Sequence, residues 1–208
     1  MNAKDLLQRR LAECPLVAII RGVTPDEVVA VGEAIHSAGI RIIEVPLNSP
    51  EPLESIRRLA ASMGDRALVG AGTVLDPSDV TRVRQAGGRL IVSPNTNRAV
   101  IEATAQAGMV SSPGFFTPSE GFEALAAGAT ALKLFPAEAV TPAYVQAQRA
   151  VLPKDVPLLV VGGVKPDSMR PWLEAGANGF GLGSGVYKPG QSPDEVGAQA
   201  RAYVEGLS

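Results

Sequence analysis

The stretch LVAIIRGVTPDEVVAVGEAIHSAGIRIIEVPL, residues 16–47, holds the plan of the whole chain in one copy. It opens on LVAIIR (16–21), an apolar run of strand length rich in β-branched residues. Thr24-Pro25 follows, a capping residue before a proline whose missing N–H costs nothing in the first turn of a helix. Glu27 stands in the capping-box position. The helical stretch closes at Ala38-Gly39, where glycine suits the left-handed cap, and a second apolar run, IIEVPL (42–47), begins. Strand, helix and strand in that order make a crossover unit, which pairs its strands in parallel.

Outward from this unit the pattern repeats. Further apolar runs lie at LVGAGT (68–73), LIVSP (90–94), MVSSPG (109–114), ALKLFP (131–136), PLLVVGG (157–163) and GFGLGSG (179–185). Capping residues precede proline at Ser49, Asp76, Thr117, Thr141 and Ser192, with Glu120 and Glu195 in capping-box positions. Ala-Gly pairs close the helices at Gly87, Gly108, Gly128 and Gly176. Eight strand–helix units of about 20–25 residues each predict an α/β fold, a (β/α)8 TIM barrel. An extra N-terminal helix over Ala3–Glu13 is expected to cover the barrel bottom. A doubly wound open sheet alternates in the same way. Eight units favour closure, and no GxGxxG follows the first run. No linker or composition shift divides the 208 residues, so a single domain spanning 1–208 is expected.

Composition narrows the function. Apolar residues make up 46% and aromatics only 4%, so the core is aliphatic and disorder is excluded. Nineteen basic against 21 acidic residues, with no basic block, argue against nucleic acid or an anionic membrane as partner. A small molecule is expected instead. Cys14 and His36 are the single cysteine and histidine, too few for a disulfide or a zinc site, and no metal is expected. The N-terminus reads as an amphipathic helix rather than a signal peptide, and no apolar run is long enough to span a membrane. A cytoplasmic protein is expected.

A barrel of this kind carries its chemistry at the C-terminal strand ends. Of five lysines only Lys133 lies inside an apolar run, sharing a face with Ala131 and Phe135. If Leu132 and Leu134 face the helices, Lys133 faces the barrel axis. Burial there lowers its pKa, and a neutral amine is what Schiff-base chemistry on a ketone needs. Among the carboxylates the same test leaves Glu44, on a face with Ile42 and Pro46. The plainer alternative is a buried Lys–Glu pair that only neutralises itself. Gly162-Gly163 and Gly183-Ser184 end the seventh and eighth runs, where such barrels often hold a phosphate on backbone N–H groups; tight turns without a ligand are the alternative. Ser184 is expected to begin the turn into the last helix, whose dipole would favour the anion. Arg21, Asn48, Thr73, Pro94 and Asn95 are the other polar or strand-end candidates, Arg21 being suited to fork onto a carboxylate or to a rim ion pair.

The segments EVPLNSP (44–50), VGAGTVL (69–75), SPN (93–95), PG (113–114), LKLFPAE (132–138), VGGV (161–164) and GLGS (181–184) resemble, in order, those of the class I 2-keto-3-deoxy-6-phosphosugar aldolases. The resemblance runs from about Leu16 to Tyr187. It implies Lys133 as the Schiff-base lysine and Glu44 as the proton donor and acceptor. Thr73 would help place the substrate carboxylate and a water. It also implies a phosphorylated keto-deoxy sugar acid as substrate, pyruvate and glyceraldehyde 3-phosphate as products, no cofactor, and a homotrimer. Two departures separate this chain from gluconate-type members. Those carry TLRT where this chain has PLNS (46–49), so Asn48 replaces an arginine, and Thr where this chain has Val161. Both departures, with Arg21 on the first strand, are similar to the galactonate branch of the family. The gluconate epimer, a barrel isomerase using Lys133 only for its charge, and a non-catalytic sugar-phosphate binder remain the rival readings. Whether Glu138 or Asn48 touches substrate stays open at this level.

Overall fold

The computed structural model describes residues 2–207. Helix α1 (Ala3–Glu13) comes first, its N-terminus capped by Asn2, whose side chain accepts from the Asp5 amide at 2.8 Å. Strands and helices then alternate: β1 (Leu16–Ile19), α2 (Val28–Ser37), β2 (Ile42–Pro46), α3 (Pro52–Met63), β3 (Leu68–Gly72), α4 (Pro77–Gln85), β4 (Leu90–Val92) and α5 (Arg98–Gln106). The second half runs β5 (Val110–Ser112), β6 (Gly114–Phe115), α6 (Pro118–Ala126), β7 (Leu132–Leu134), α7 (Pro142–Arg149), β8 (Leu158–Val161), α8 (Arg170–Glu174), β9 (Gly179–Leu182) and α9 (Pro193–Glu205). The strands are all parallel, in the order β5-β4-β3-β2-β1-β9-β8-β7-β6.

The fifth apolar run supplies both ends of that order. Pro113 splits it, because proline has no N–H to give a ladder. Its carbonyl still accepts: the amides of Ala131, Lys133 and Phe135 bond to the carbonyls of Ser111, Pro113 and Phe115 at 3.1, 2.9 and 3.3 Å. β5 pairs with β4 and β6 with β7, so the expected eight-membered barrel closes through a strand bent at one residue.

Strand alternation then sorts the side chains into two cores. Val17, Ile42, Leu68, Leu90, Val110, Ala131 and Leu159 fill the barrel, and Leu6 and Leu7 of α1 pack beneath them. Helix α1 therefore plugs the N-terminal end, as its apolar stripe implied. The opposite parity, including Ile43, Val45, Leu132, Leu134 and Val160, meets the surrounding helices. The capping boxes at Thr117/Glu120 and Ser192/Glu195 form as expected.

Thr141 sits at the N-terminus of α7 without a side-chain capping bond, and Thr24 and Ser49 depart in other ways. At Thr24 half of the box forms: the Glu27 carboxylate accepts from the Thr24 amide at 2.8 Å, but the Thr24 hydroxyl turns to that carboxylate instead of the Glu27 amide, and α2 is helical only from Val28. Ser49 caps nothing: buried, it accepts from the Gly22 amide at 2.9 Å, while α3 starts at Pro52. At Ser49 a loop brought in by the fold takes the polar side chain, while Glu27 keeps Thr24 and also accepts from the Tyr187 hydroxyl at 3.0 Å.

Candidate active site

Glu44 on β2 and Lys133 on β7 both point to the barrel axis near its C-terminal end, and both help wall a small cavity there. Glu44 is 2% and Lys133 7% exposed, an unusual depth for two charged groups. The carboxylate owes its seat to glycine. A Cβ at Gly72, on the neighbouring β3, would collide with the Glu44 carboxyl group. Oε2 of Glu44 is buried and has no hydrogen-bond partner.

Burial pushes the Glu44 carboxyl up to about 7, against the opposing pull of the Lys133 and Arg21 charges. Burial likewise holds the Lys133 amine below the ordinary lysine range; the Glu44 charge opposes that shift and Arg21 adds to it. A carboxyl poised near neutrality both takes and returns protons, and a depressed amine is a nucleophile. The Lys133 Nζ sits 4.8 Å from the centroid of the Phe135 ring, which gives it a cation–π contact.

Above this pair opens a cleft of about 750 Å³. Arg21, Thr73, Pro94, Lys133, Val161, Gly162, Gly163, Gly183 and Ser184 all line it, so these residues selected from the sequence share one space. Glu44 lies just below, in the cavity that Lys133 and Val161 also border. Arg21 makes no rim ion pair among the described residues. Its guanidinium donates to the Asn48 side-chain oxygen and, at 3.3 Å, to the Thr73 hydroxyl, which ties three strand ends together. Asn48 thus holds Arg21.

The glycine turns need a fuller account than the sequence allowed. Gly162 and Gly163 take φ of +119° and +65°, and a Cβ on Gly162 would run into the Glu138 carboxylate. These glycines therefore make room for Glu138 as well as for any anion. The expectation that Ser184 starts the turn into the last helix is wrong. Residues 183–187 form a separate turn, with the Val186 and Tyr187 amides bonded to the Gly183 carbonyl at 2.9 and 3.1 Å. Helix α9 starts only at Pro193, because Pro189 and Gly190 (φ +86°) interrupt the chain between. Any anion here meets the amides of the turn, not a helix dipole.

Sequence reading missed several cleft residues: Phe135, Tyr187, Lys165 and Lys188. Phe135 was legible only as a member of the lysine's strand face. The others lie on loops, whose approach to the cleft no local pattern announces.

Comparison with known proteins gives a concordant result. The family model described as "KDPG and KHG aldolase" matches residues 7–195. The chain is 47% identical to 2-dehydro-3-deoxy-6-phosphogalactonate aldolase of Escherichia coli (strain K12), over 92% of this chain and 93% of that one. A solved structure described as native KDPGal superposes with a TM-score of 0.92 at 46% identity, covering 94% of this chain and 95% of the other. A KDPG aldolase from Legionella pneumophila, with pyruvate captured as a covalent carbinolamine, superposes with a TM-score of 0.82 at 26% identity, over 93% and 96%. Agreement of this extent, in sequence along nearly the whole length and in the course of the backbone, has one reading: the chain belongs to the family of KDPG and KHG aldolases.

Proposed function

We propose that this chain is a class I aldolase that cleaves 2-dehydro-3-deoxy-6-phosphogalactonate to pyruvate and glyceraldehyde 3-phosphate. The observation that carries the reading is the meeting of one buried lysine and one buried carboxyl, both shifted toward neutral pH, at the floor of an open cleft. Similarity to the Escherichia coli enzyme supports the galactonate epimer.

In this mechanism Lys133 attacks the C2 ketone, and loss of water leaves a protonated imine. Glu44 removes the C4 hydroxyl proton, the C3–C4 bond breaks, and its electron pair flows into the imine. Glyceraldehyde 3-phosphate departs and an enamine of pyruvate remains. Protonated Glu44 returns its proton to C3, and hydrolysis releases pyruvate and the free amine. Acid–base help of this kind contributes about a hundred- to ten-thousand-fold. Arg21, held by Asn48 and Thr73, is suited to the C1 carboxylate, and the turns at Gly162-Gly163 and Gly183-Ser184 to the phosphate. Both groups line the one cleft that Lys133 also borders, so a single extended substrate can reach all three.

We also propose a homotrimer. The resemblance to a family of trimeric aldolases supports it, and light scattering measures the mass directly.

The deciding experiment incubates the enzyme with pyruvate and borohydride and locates the adduct by mass spectrometry. A reduced adduct on Lys133 is expected. Labelling at Lys165 or Lys188, or none, would overturn the assignment. Retro-aldol rates on the two C4 epimers then test the substrate, and a faster gluconate epimer would reject the galactonate reading.

A further inference from the structure

The small cavity beneath the cleft is walled by aliphatic side chains and by three polar ones, Glu44, Lys133 and Ser112. Two of these three have catalytic parts in the aldolase reading. Ser112 has none. It is the last residue of β5, in register with Val92 of β4, whose side chain also borders the cavity. It stands one residue before the proline that bends the closing strand, at the level where β5 hands over to β6. Ser112 is 2% exposed, and its Oγ has no hydrogen-bond partner.

A buried hydroxyl usually finds a carbonyl. Ser93 donates to the Val74 carbonyl at 2.8 Å and Thr104 to the Val100 carbonyl at 2.7 Å. Ser112 makes no such bond, and neither does Oε2 of Glu44, which borders the same cavity. Two unpaired polar atoms on one small cavity are costly unless something joins them. The cavity measures about 20 Å³. One water molecule needs roughly 10–15 Å³ on this scale, with two to four polar partners. Three of the residues around the cavity carry polar groups, Ser112, Glu44 and Lys133.

We propose that Ser112 is a positioning residue of the reaction chamber: its hydroxyl and Oε2 of Glu44 share one buried water beneath Lys133, and this bridge orients the carboxylate for proton transfer. The bridge donates to the charged form of Glu44 and so favours it. Lys133 from β7 and Arg21 from the end of β1 are the charges that bear on the same carboxylate, while β3 presents only Gly70 and Gly72. The inference rests on the aldolase reading, and its test separates the two.

The test compares wild type with Ser112→Ala, which deletes the hydroxyl, Ser112→Cys, which replaces it with a bulkier and weaker donor, and Ser112→Thr, which keeps the hydroxyl. Each is measured for the pH profile of kcat/KM, for kcat, and for borohydride trapping of pyruvate. In Ser112→Ala the acid limb is expected to move up by about 0.5–1 pH unit, since a hydrogen bond to the carboxylate is lost. The kcat should fall roughly three- to tenfold, on the scale of one hydrogen bond, with trapping at Lys133 retained. Ser112→Cys should lie between, and Ser112→Thr should restore the wild-type limb. Should the alanine variant fail to fold, the cysteine variant gives the same reading without leaving a void. An acid limb that stays in place or moves down overturns the proposal. Absence of trapping in the wild-type enzyme would instead overturn the aldolase reading beneath it.

Discussion

Arg21, at the end of β1, donates to the hydroxyl of Thr73 at 3.3 Å, and Thr73 holds that position in left-handed backbone with φ of +56°. A β-branched residue in this region is strained by about 1–3 kcal/mol and persists where its surroundings demand it. Here the demand is a hydroxyl under the guanidinium, one residue past the glycine that seats Glu44. Thr73→Gly and Thr73→Ala both delete the hydroxyl, but only glycine relieves the backbone. Both variants should lose activity to a similar extent. Thr73→Gly should be the more stable of the two, by about 1 kcal/mol in denaturant unfolding. Equal stabilities would show that the strain is relieved in solution.

The elevated pKa of Glu44 makes a stability prediction with a definite sign. The folded protein holds the Glu44 proton up to about 7, whereas an exposed glutamate releases it near 4.5. Between those values the folded state binds more protons than the unfolded state, so this group makes stability fall as pH rises. Glu44→Gln removes that slope. Relative to the glutamine variant, wild type should lose up to about 3 kcal/mol between roughly pH 4.5 and pH 7.5. Urea unfolding at the two pH values reads the difference, and parallel losses in both proteins would refute it.

The same substitution separates chemical steps. Glu44→Gln leaves Lys133 free to form the imine with pyruvate while removing the group that takes and returns the proton. Trapping should survive; cleavage and exchange of the pyruvate methyl protons should not. Wild-type exchange in the variant would identify another base.

Val161 borders both the cleft and the cavity, with its methyls beside Gly181 of β9. Val161→Thr exchanges one methyl for a hydroxyl at constant volume. The ratio of kcat/KM values should move toward the gluconate epimer by about two- to tenfold, the worth of one hydrogen bond. An unmoved ratio would assign epimer choice to Arg21 and Asn48.

Gly183 is the cleanest probe of the phosphate end. A Cβ there meets nothing within 4 Å, so the side chain of Gly183→Val enters the cleft without disturbing the barrel. Gly162 is unsuitable, since its φ of +119° and the Glu138 carboxylate both oppose any side chain. Gly183→Val should lower kcat/KM steeply for the phosphorylated substrate and leave imine formation with pyruvate nearly unchanged. Equal loss for both would mean damage to the barrel, and no loss for either would move the phosphate elsewhere.

The barrel is legible because its elements are made of local signals. Alternation in IIEVPL and ALKLFP alone puts Glu44 and Lys133 on the axial face, and the inward packing of Ile42 and Ala131 agrees. The capping boxes at Thr117 and Ser192 likewise need only residues three apart. Ser49 misleads for the opposite reason: its local capping partner loses to a group brought in by the fold, the Gly22 amide.

Sequence by itself therefore determined which residues carry reactive groups, which strand each occupies, and which face it takes. These follow from residue type and a period of two. Tertiary structure alone decided how those groups are tuned and held. Glu44 becomes a carboxyl of about 7 through the barrel that encloses it and the missing side chain of Gly72 on the next strand. Arg21 is aimed by Asn48 and Thr73 from two other strand ends, and the loop that carries it is tied to the turn at residues 183–187 by the Tyr187 hydroxyl, which donates to Glu27 at 3.0 Å. Desolvation and hydrogen bonding between residues far apart in the chain are properties of the closed barrel, and no local stretch contains them.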